Sequence, residues 1–503
     1  MKLANVVNEK EKWFEKGYEV FSYDRAKMIE ETKENPEWIH FGAGNLFRAF
    51  QAVFCDQLLD QGILTKGITM VGGLDSKAID DFFRRFDNLH IAVTLRSSGK
   101  VDKRVVGSIA ESLKMEDVDR LKEIFAKESL KVASFTITEK GYAFKDGDDE
   151  TTYLGKFTAL LHHRYLNGGY PLTLNSHDNC SHNGDVLKKA IMYYAGRYNE
   201  QGFIDYINEK VSFPISMIDK ITPRPDRRIA DILIADGVED LKELDISYYM
   251  NCFVNAEESQ YLVIEDNFAN GRPAWEKAGI IFTDRETVDK VEKMKVGPCL
   301  NPVHTALAVY GCLLDHKLIY EEMNDEVLSR LARHVGYDEG LPVVVDPKIM
   351  DPKDFLDTVI NVRLTNPYMP DAPQRIAMDT SQKLPVRFGE TLKAYLQKGE
   401  DIAQLTYIPL VYAGWLRYLT AIDDNGNRFE LPSDPMLEEL TPIFGKYQLG
   451  DTIRKEDIID LLRNEKIFGV DLEKYNLADK VVSYLNEELS EAGAVRKTLQ
   501  KYL

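Results

Sequence analysis

The 503-residue chain has no Cys-x-x-Cys pair, no apolar run long enough to cross a bilayer and no surplus of positive charge. Each absence removes a class of protein. Its five cysteines, Cys55, Cys180, Cys252, Cys299 and Cys312, are scattered, which argues against a zinc finger or a dithiol redox centre and fits a reducing compartment. Without a long apolar run, and without an apolar signal-peptide core at the N-terminus, the expected location is the cytoplasm and no membrane partner is expected. A formal charge of -19, from 63 basic and 82 acidic residues, leaves no basic face for nucleic acid. An anionic substrate would need a local basic pocket.

What is present is an ordinary globular composition, 44% hydrophobic and 29% charged, in a chain long enough for more than one core. No repeat or low-complexity segment interrupts it. The first half alternates strands and helices. Trp38–Phe41 reads as a strand, followed by Gly42-Ala-Gly44-Asn and a helix from Leu46 to Leu59. Residues 68–71 read as a second strand ending in Gly72-Gly-Leu-Asp75, and 131–137 and 171–174 as later ones. That order predicts an α/β fold, a parallel sheet covered by helices over residues 1–285. From Glu286 the 3.6-residue periodicity dominates, so residues 286–503 are expected to form a mainly α-helical domain.

The segment richest in chemistry is Glu292-Lys-Met-Lys295-Val-Gly-Pro-Cys-Leu-Asn301-Pro-Val-His304. Gly297-Pro298 is expected to end one helix with Lys295 in its last turn. Asn301 is expected to cap the next, with Pro302 in its first position. His304, one turn in, lies at the positive helix end, where imidazole is biased toward its neutral form. A lysine shielded from water can act as a general base. The competing reading is a capping asparagine, a solvated lysine and a packed histidine. Cys299 reads as a small buried thiol, because no base is placed beside it.

Gly42-Ala-Gly44 between a strand and a helix leaves room for a pyrophosphate at the helix N-terminus, although the third glycine of the usual fingerprint is missing. Asp75, at the end of the second strand, is suited to accept hydrogen bonds from a ribose diol and to repel a 2'-phosphate, which favours NAD over NADP. It could instead cap the helix that starts near Ser76.

Phe41-Gly-Ala-Gly44-Asn-Leu-Phe-Arg48-Ala-Phe, taken with the lysine segment, resembles the polyol-specific long-chain dehydrogenases. Ser176-His-Asp178-Asn179 is similar to that family's Ser-Cys-Asp-Asn motif, and Val211 to Pro223 to its signature ending in Val-Asp-Arg-Ile-x-Pro. Arg375 and Lys383 match its basic pair. The resemblance implies a Rossmann-type N-terminal domain, a helical C-terminal domain and metal-free, NAD-dependent hydride transfer. Gly42, Gly44, Asn45, Phe47, Arg48 and Asp75 would hold NAD. Lys295 would be the acid/base, Asn179 and Asn301 the oxyanion donors, and Asp219 the group orienting the lysine. Glu292 would relay the proton to water, while His304, Arg375 and Lys383 would hold the substrate. That substrate is a small sugar acid or polyol: D-mannonate and D-fructuronate first, with tagaturonate, mannitol/fructose or an NAD-retaining epimerase as alternatives. Arg387 could add charge for a carboxylate. His177, Cys180 and His182 could be read as zinc ligands, but their spacing is irregular and the resemblance makes them a pocket wall. Three departures stand out, the first being His177 in place of the motif's cysteine. Lys220 replaces the signature arginine, and five residues rather than four separate Lys295 from Asn301, so a one-residue bulge is expected there.

Overall fold

A computed structural model describes residues 1–73 and 77–503, and the chain divides into two compact units, Met1–Asp289 and Lys290–Leu503. The first is built on a six-stranded sheet: β1 (Trp38–Phe41), β2 (Ile68–Val71), β3 (Ile109–Leu113), β4 (Val132–Phe135), β5 (Leu172–Ser176) and β6 (Val211–Ser212). All neighbours pair in parallel in the order β3-β2-β1-β4-β5-β6. This is the doubly wound dinucleotide-binding arrangement, and its crevice lies where the order reverses, beyond the carboxyl ends of β1 and β4.

The strands are apolar because both faces of the sheet are covered. Alternate residues serve opposite cores: Trp38 packs with Phe54, Ile68 and Val132 on one face, while Ile39 and Phe41 pack with Phe135, Phe157 and Leu174 on the other. The polar exception in β1 is His40. Its ring nitrogens meet the hydroxyls of Ser134 (2.7 Å) and Thr136 (2.9 Å), and burial holds its pKa well below the usual value. Two further sheets escape a reading of local pattern. A mixed four-stranded sheet joins Tyr18–Val20, Val101–Val106, His90–Leu95 and Phe253–Glu257, and a three-stranded one joins Ser216–Asp219, Tyr261–Glu265 and Ile281–Thr283. Apart from the hairpin His90–Leu95 with Val101–Val106, their partners are remote in sequence, so little local announces them.

The second unit is helical throughout its described elements. Its central helix, Asn301–Leu313, is buried continuously from Thr305 onward and packs on Tyr407–Tyr418. The close approach has an identifiable cause: a Cβ at Gly414 would stand 2.5 Å from the Tyr310 ring. The Tyr310 hydroxyl lies 2.7 Å from both the Leu410 carbonyl oxygen and Glu488 Oε1. The hydroxyl is shared between the two acceptors. Burial raises the pKa of the Glu488 carboxyl to about 8. Near the end of the chain the helix Ala478–Leu489 follows a left-handed turn at Asn476. Among the described residues no helix is long and apolar enough to cross a membrane.

Candidate functional site

In the first unit a cleft of about 360 Å³ opens beyond β1 and β4, lined by Gly42, Gly44, Thr136, Thr138 and Tyr249 among others. Gly42 adopts φ +120, and a Cβ there would meet the Thr136 carbonyl oxygen at 2.2 Å, so only glycine fits. Gly44 differs: a Cβ would meet nothing within 4 Å. That open space beside a strand-to-helix turn is what a pyrophosphate requires, and the geometry fits a dinucleotide. Asn45 donates to the Tyr249 carbonyl oxygen (3.0 Å), tying the turn to the cleft's far wall.

Two residues expected at the cofactor have side chains packed in the core, so any contact they make with it would run through their backbone. Phe47 is fully buried and stacks on His40 at 4.2 Å, so its ring belongs to the core. Arg48 is also fully buried, donating through Nη2 to the Asn251 carbonyl oxygen (2.5 Å), while Nε and Nη1 have no partner. Helical periodicity did not separate inward from cleft-facing positions here, because the helix opens with a π turn, Phe47–Gln51, that rotates its faces. Asp75 lies outside the described residues.

Beyond β5, Asn179 is exposed in the turn that follows the strand. Asp178, beside it, is buried and accepts from the N–H groups of Ile137 (2.9 Å) and Thr138 (3.0 Å) and from the Tyr142 hydroxyl (2.6 Å). These bonds hold Thr138 at φ +65, a costly conformation for a β-branched residue. Asn183 donates to the Asp178 and Ser216 carbonyl oxygens, at 2.9 and 3.0 Å, and so locks the turn to the strand ending at buried Asp219. A Cβ at Gly184 would lie 2.5 Å from the Phe213 carbonyl oxygen, which explains the glycine. The roles of Asp178 and Asn183 show only once the segments they join are in place. The departures from the family motif are absorbed. His177 is buried, contacts Asn175 Oδ1 (2.6 Å) and Gln51 Nε2 (3.1 Å) through its two nitrogens, and is pushed down to about 3 by burial, so it is a neutral core imidazole. Among the described residues no group of three or more His, Cys, Asp or Glu is arranged to hold a metal. Lys220 donates to the Glu257 carbonyl oxygen (2.9 Å) and to Gln260 (3.0 Å).

In the second unit the lysine segment forms a π turn, Lys295–Cys299, with Gly297 in a non-helical conformation. Gly297 breaks the helical path between Lys295 and Asn301, the stretch in which the extra residue falls. Lys295 is buried and Glu292 half-buried on the preceding turn. The cap lies one residue earlier than expected: Leu300 is in the cap position and Asn301 begins the helix, since the π turn delivers the chain already turning. Cys299 is buried, and burial raises its thiol to about 12. His304 Nε2 is buried without a hydrogen-bond partner and stands 3.8 Å from Asp371 Oδ2. Burial, opposed by Asp371 and reinforced by Arg387, Arg363 and Arg375, lowers its pKa to about 4, so the imidazole is neutral near pH 7. Arg375 is largely exposed and pairs with Asp371; that aspartate escaped the sequence reading, although four-residue spacing on a turn was the available signal. Lys383 donates to the carbonyl oxygens of Ile376 (2.9 Å) and Met378 (2.5 Å), and burial lowers its pKa. The helix bearing His304 packs against Pro373–Ile376 and Pro385–Gly389, so the elements carrying His304, Arg375 and Arg387 are contiguous.

This fold and these residues define an oxidoreductase of the Rossmann type. Family models agree: the mannitol dehydrogenase Rossmann domain matches residues 36–277 and the mannitol dehydrogenase C-terminal domain residues 287–489. The chain belongs to the mannitol dehydrogenase family. It is similar to a D-mannonate oxidoreductase of Thermotoga maritima, 43% identical over 98% of this chain and 97% of the relative. Among solved structures it resembles a substrate-free D-sorbitol dehydrogenase, with a TM-score of 0.79 and 26% identity over 95% of this chain and 97% of that one. A Pseudomonas fluorescens mannitol 2-dehydrogenase in ternary complex with NAD and D-mannitol matches with a TM-score of 0.70 and 29% identity, over 100% and 99%.

Proposed function

We propose that this enzyme interconverts D-mannonate and D-fructuronate with NAD as cofactor, without a metal, in the cytoplasm. The observation that carries the reading is the likeness, over nearly the whole of both chains, to a D-mannonate oxidoreductase. Bound NADH supplies a hydride to the keto carbon. The chain's own groups manage the oxygen. As the carbonyl gains negative character, Asn179 and Asn301 donate to it and Lys295 delivers a proton; in the reverse direction Lys295 takes that proton from the hydroxyl. Donors aimed at such an oxygen contribute a few kcal/mol each, about 3. Asp219 orients the lysine, and Glu292, half-buried one turn before it, passes the proton to solvent. Neutral His304 can hydrogen-bond a substrate hydroxyl without adding charge. Arg375 and Lys383 hold the remainder of the sugar.

The test is NADH oxidation with fructuronate, tagaturonate and fructose, each with and without a chelator. Fructuronate is expected to be preferred and the chelator to have no effect. Turnover of fructose alone would replace this reading by a mannitol 2-dehydrogenase, and NADH left unconsumed while the sugar is epimerised would replace it by an epimerase.

A further inference from the structure

Two cations, Arg387 and Lys383, lie near the helix that bears His304 and form no ion pair among the described residues. Arg387 lies on the π turn Pro385–Gly389, which packs against both the Lys295–Cys299 turn and the helix Asn301–Leu313. Its Nη1 donates to the Asn301 carbonyl oxygen (3.4 Å) and to the Thr305 hydroxyl, both neutral oxygens. Lys383, one turn earlier, is held by two backbone carbonyl oxygens. Among the described residues neither forms an ion pair, whereas Arg375 is paired with Asp371. Asp379 and Asp434 partly offset the charge of Lys383, but Arg387, half-buried and held only by neutral oxygens, gives up hydration without a compensating charge. This occurs in a chain with 82 acidic residues, where a carboxylate partner was readily available. His304 Nε2, buried and unpartnered, lies one helical turn from Asn301, the residue whose carbonyl Arg387 holds.

The arrangement has a direction. With Nη1 tethered to the first turn of the helix, the Nε and Nη2 edge of Arg387 makes no hydrogen bond within the protein among the described residues. That edge carries two parallel N–H groups, the fork that matches a carboxylate. We propose that Arg387, with Lys383 beside it, anchors the carboxylate of the substrate and selects sugar acids over neutral polyols. This rests on the reading above that the substrate is a hexuronate. A neutral polyol leaves Arg387 uncompensated, so the site discriminates against it even where its hydroxyls fit.

The experiment compares kcat/KM for fructuronate and for fructose in the wild type, in Arg387→Met and in Arg387→Lys, with NADH affinity and unfolding temperature measured on each. The fructuronate-to-fructose ratio is expected to fall about 100-fold in Arg387→Met and about tenfold in Arg387→Lys, the lysine restoring charge but not the fork. If the wild type reduces fructuronate and the ratio in Arg387→Met stays within threefold of it, the carboxylate is held elsewhere; the proposal falls and the function stands. If the wild type reduces fructose and not fructuronate, both fall. Should Arg387→Met fail to fold, the ratio in Arg387→Lys decides alone: a tenfold fall supports the carboxylate anchor and no fall overturns it.

Discussion

The two units prepare for ligands by opposite means. The cleft of the first is made of backbone: two glycines, one that only glycine can occupy and one that leaves space, and a strained Thr138. The corresponding surface of the second is made of charge: Lys295, a neutral His304 near Asp371, and the cations Arg375, Lys383 and Arg387. A dinucleotide is recognised largely through close backbone approach, whereas a reacting carbonyl needs protons and donors where charge develops. Substitutions should therefore separate cofactor binding from chemistry.

The largest separation is expected from Lys295→Ala, which should lower kcat by about 10³-fold or more while the NADH dissociation constant changes little. Steady-state rates and fluorescence titration read the two quantities, and equal losses in both would break the comparison. Next comes Glu488→Gln in the second unit. The folded carboxyl keeps its proton up to about pH 8, against an ordinary value of 4.5. Across that window the folded state binds more protons than the unfolded one, so stability falls as pH rises from about 4.5 to about 8, by on the order of 4 kcal/mol. Glutamine can still hydrogen-bond the Tyr310 hydroxyl and does not titrate. Unfolding temperatures of the variant should exceed the wild type's at pH 8 and converge with them near pH 4.5.

Gly42→Ala should destabilise the first unit by about 2 to 3 kcal/mol, because the methyl group collides with the Thr136 carbonyl and φ is unfavourable. Gly44→Ala should leave unfolding unchanged within about 1 kcal/mol yet weaken NADH binding roughly tenfold, since its methyl group occupies ligand space. Thermal melts beside binding isotherms distinguish the pair. The smallest effect is a flat one: with His304 lowered to about 4, protonation of this imidazole should add no inflection to the kcat/KM profile between pH 5.5 and 7.5. An inflection lost in His304→Asn would show that the histidine titrates there.

The sheet strands were legible because a strand buried on both faces is an apolar run bounded by glycine and polar residues, and β1, β2 and β4 match their predicted positions within two residues. The glycine turn was legible for a related reason, since backbone proximity demands a missing side chain. What escaped was long-range. The burial of the Phe47 and Arg48 side chains was not legible, because a π turn shifts the helix faces. Asp371 was invisible until it paired with Arg375 and approached His304, and Asp178 and Asn183 acquired meaning only when they bridged segments 33 to 41 residues apart.

Local physics thus specified which residues could do chemistry and roughly where each element would run, because side-chain type, helical period and turn chemistry are properties of short stretches. Tertiary packing alone decided which cations would lack counter-ions, which histidines would be neutral and how the extra residue before Asn301 would be taken up. These depend on burial and on partners brought from far along the chain, and no local pattern encodes them.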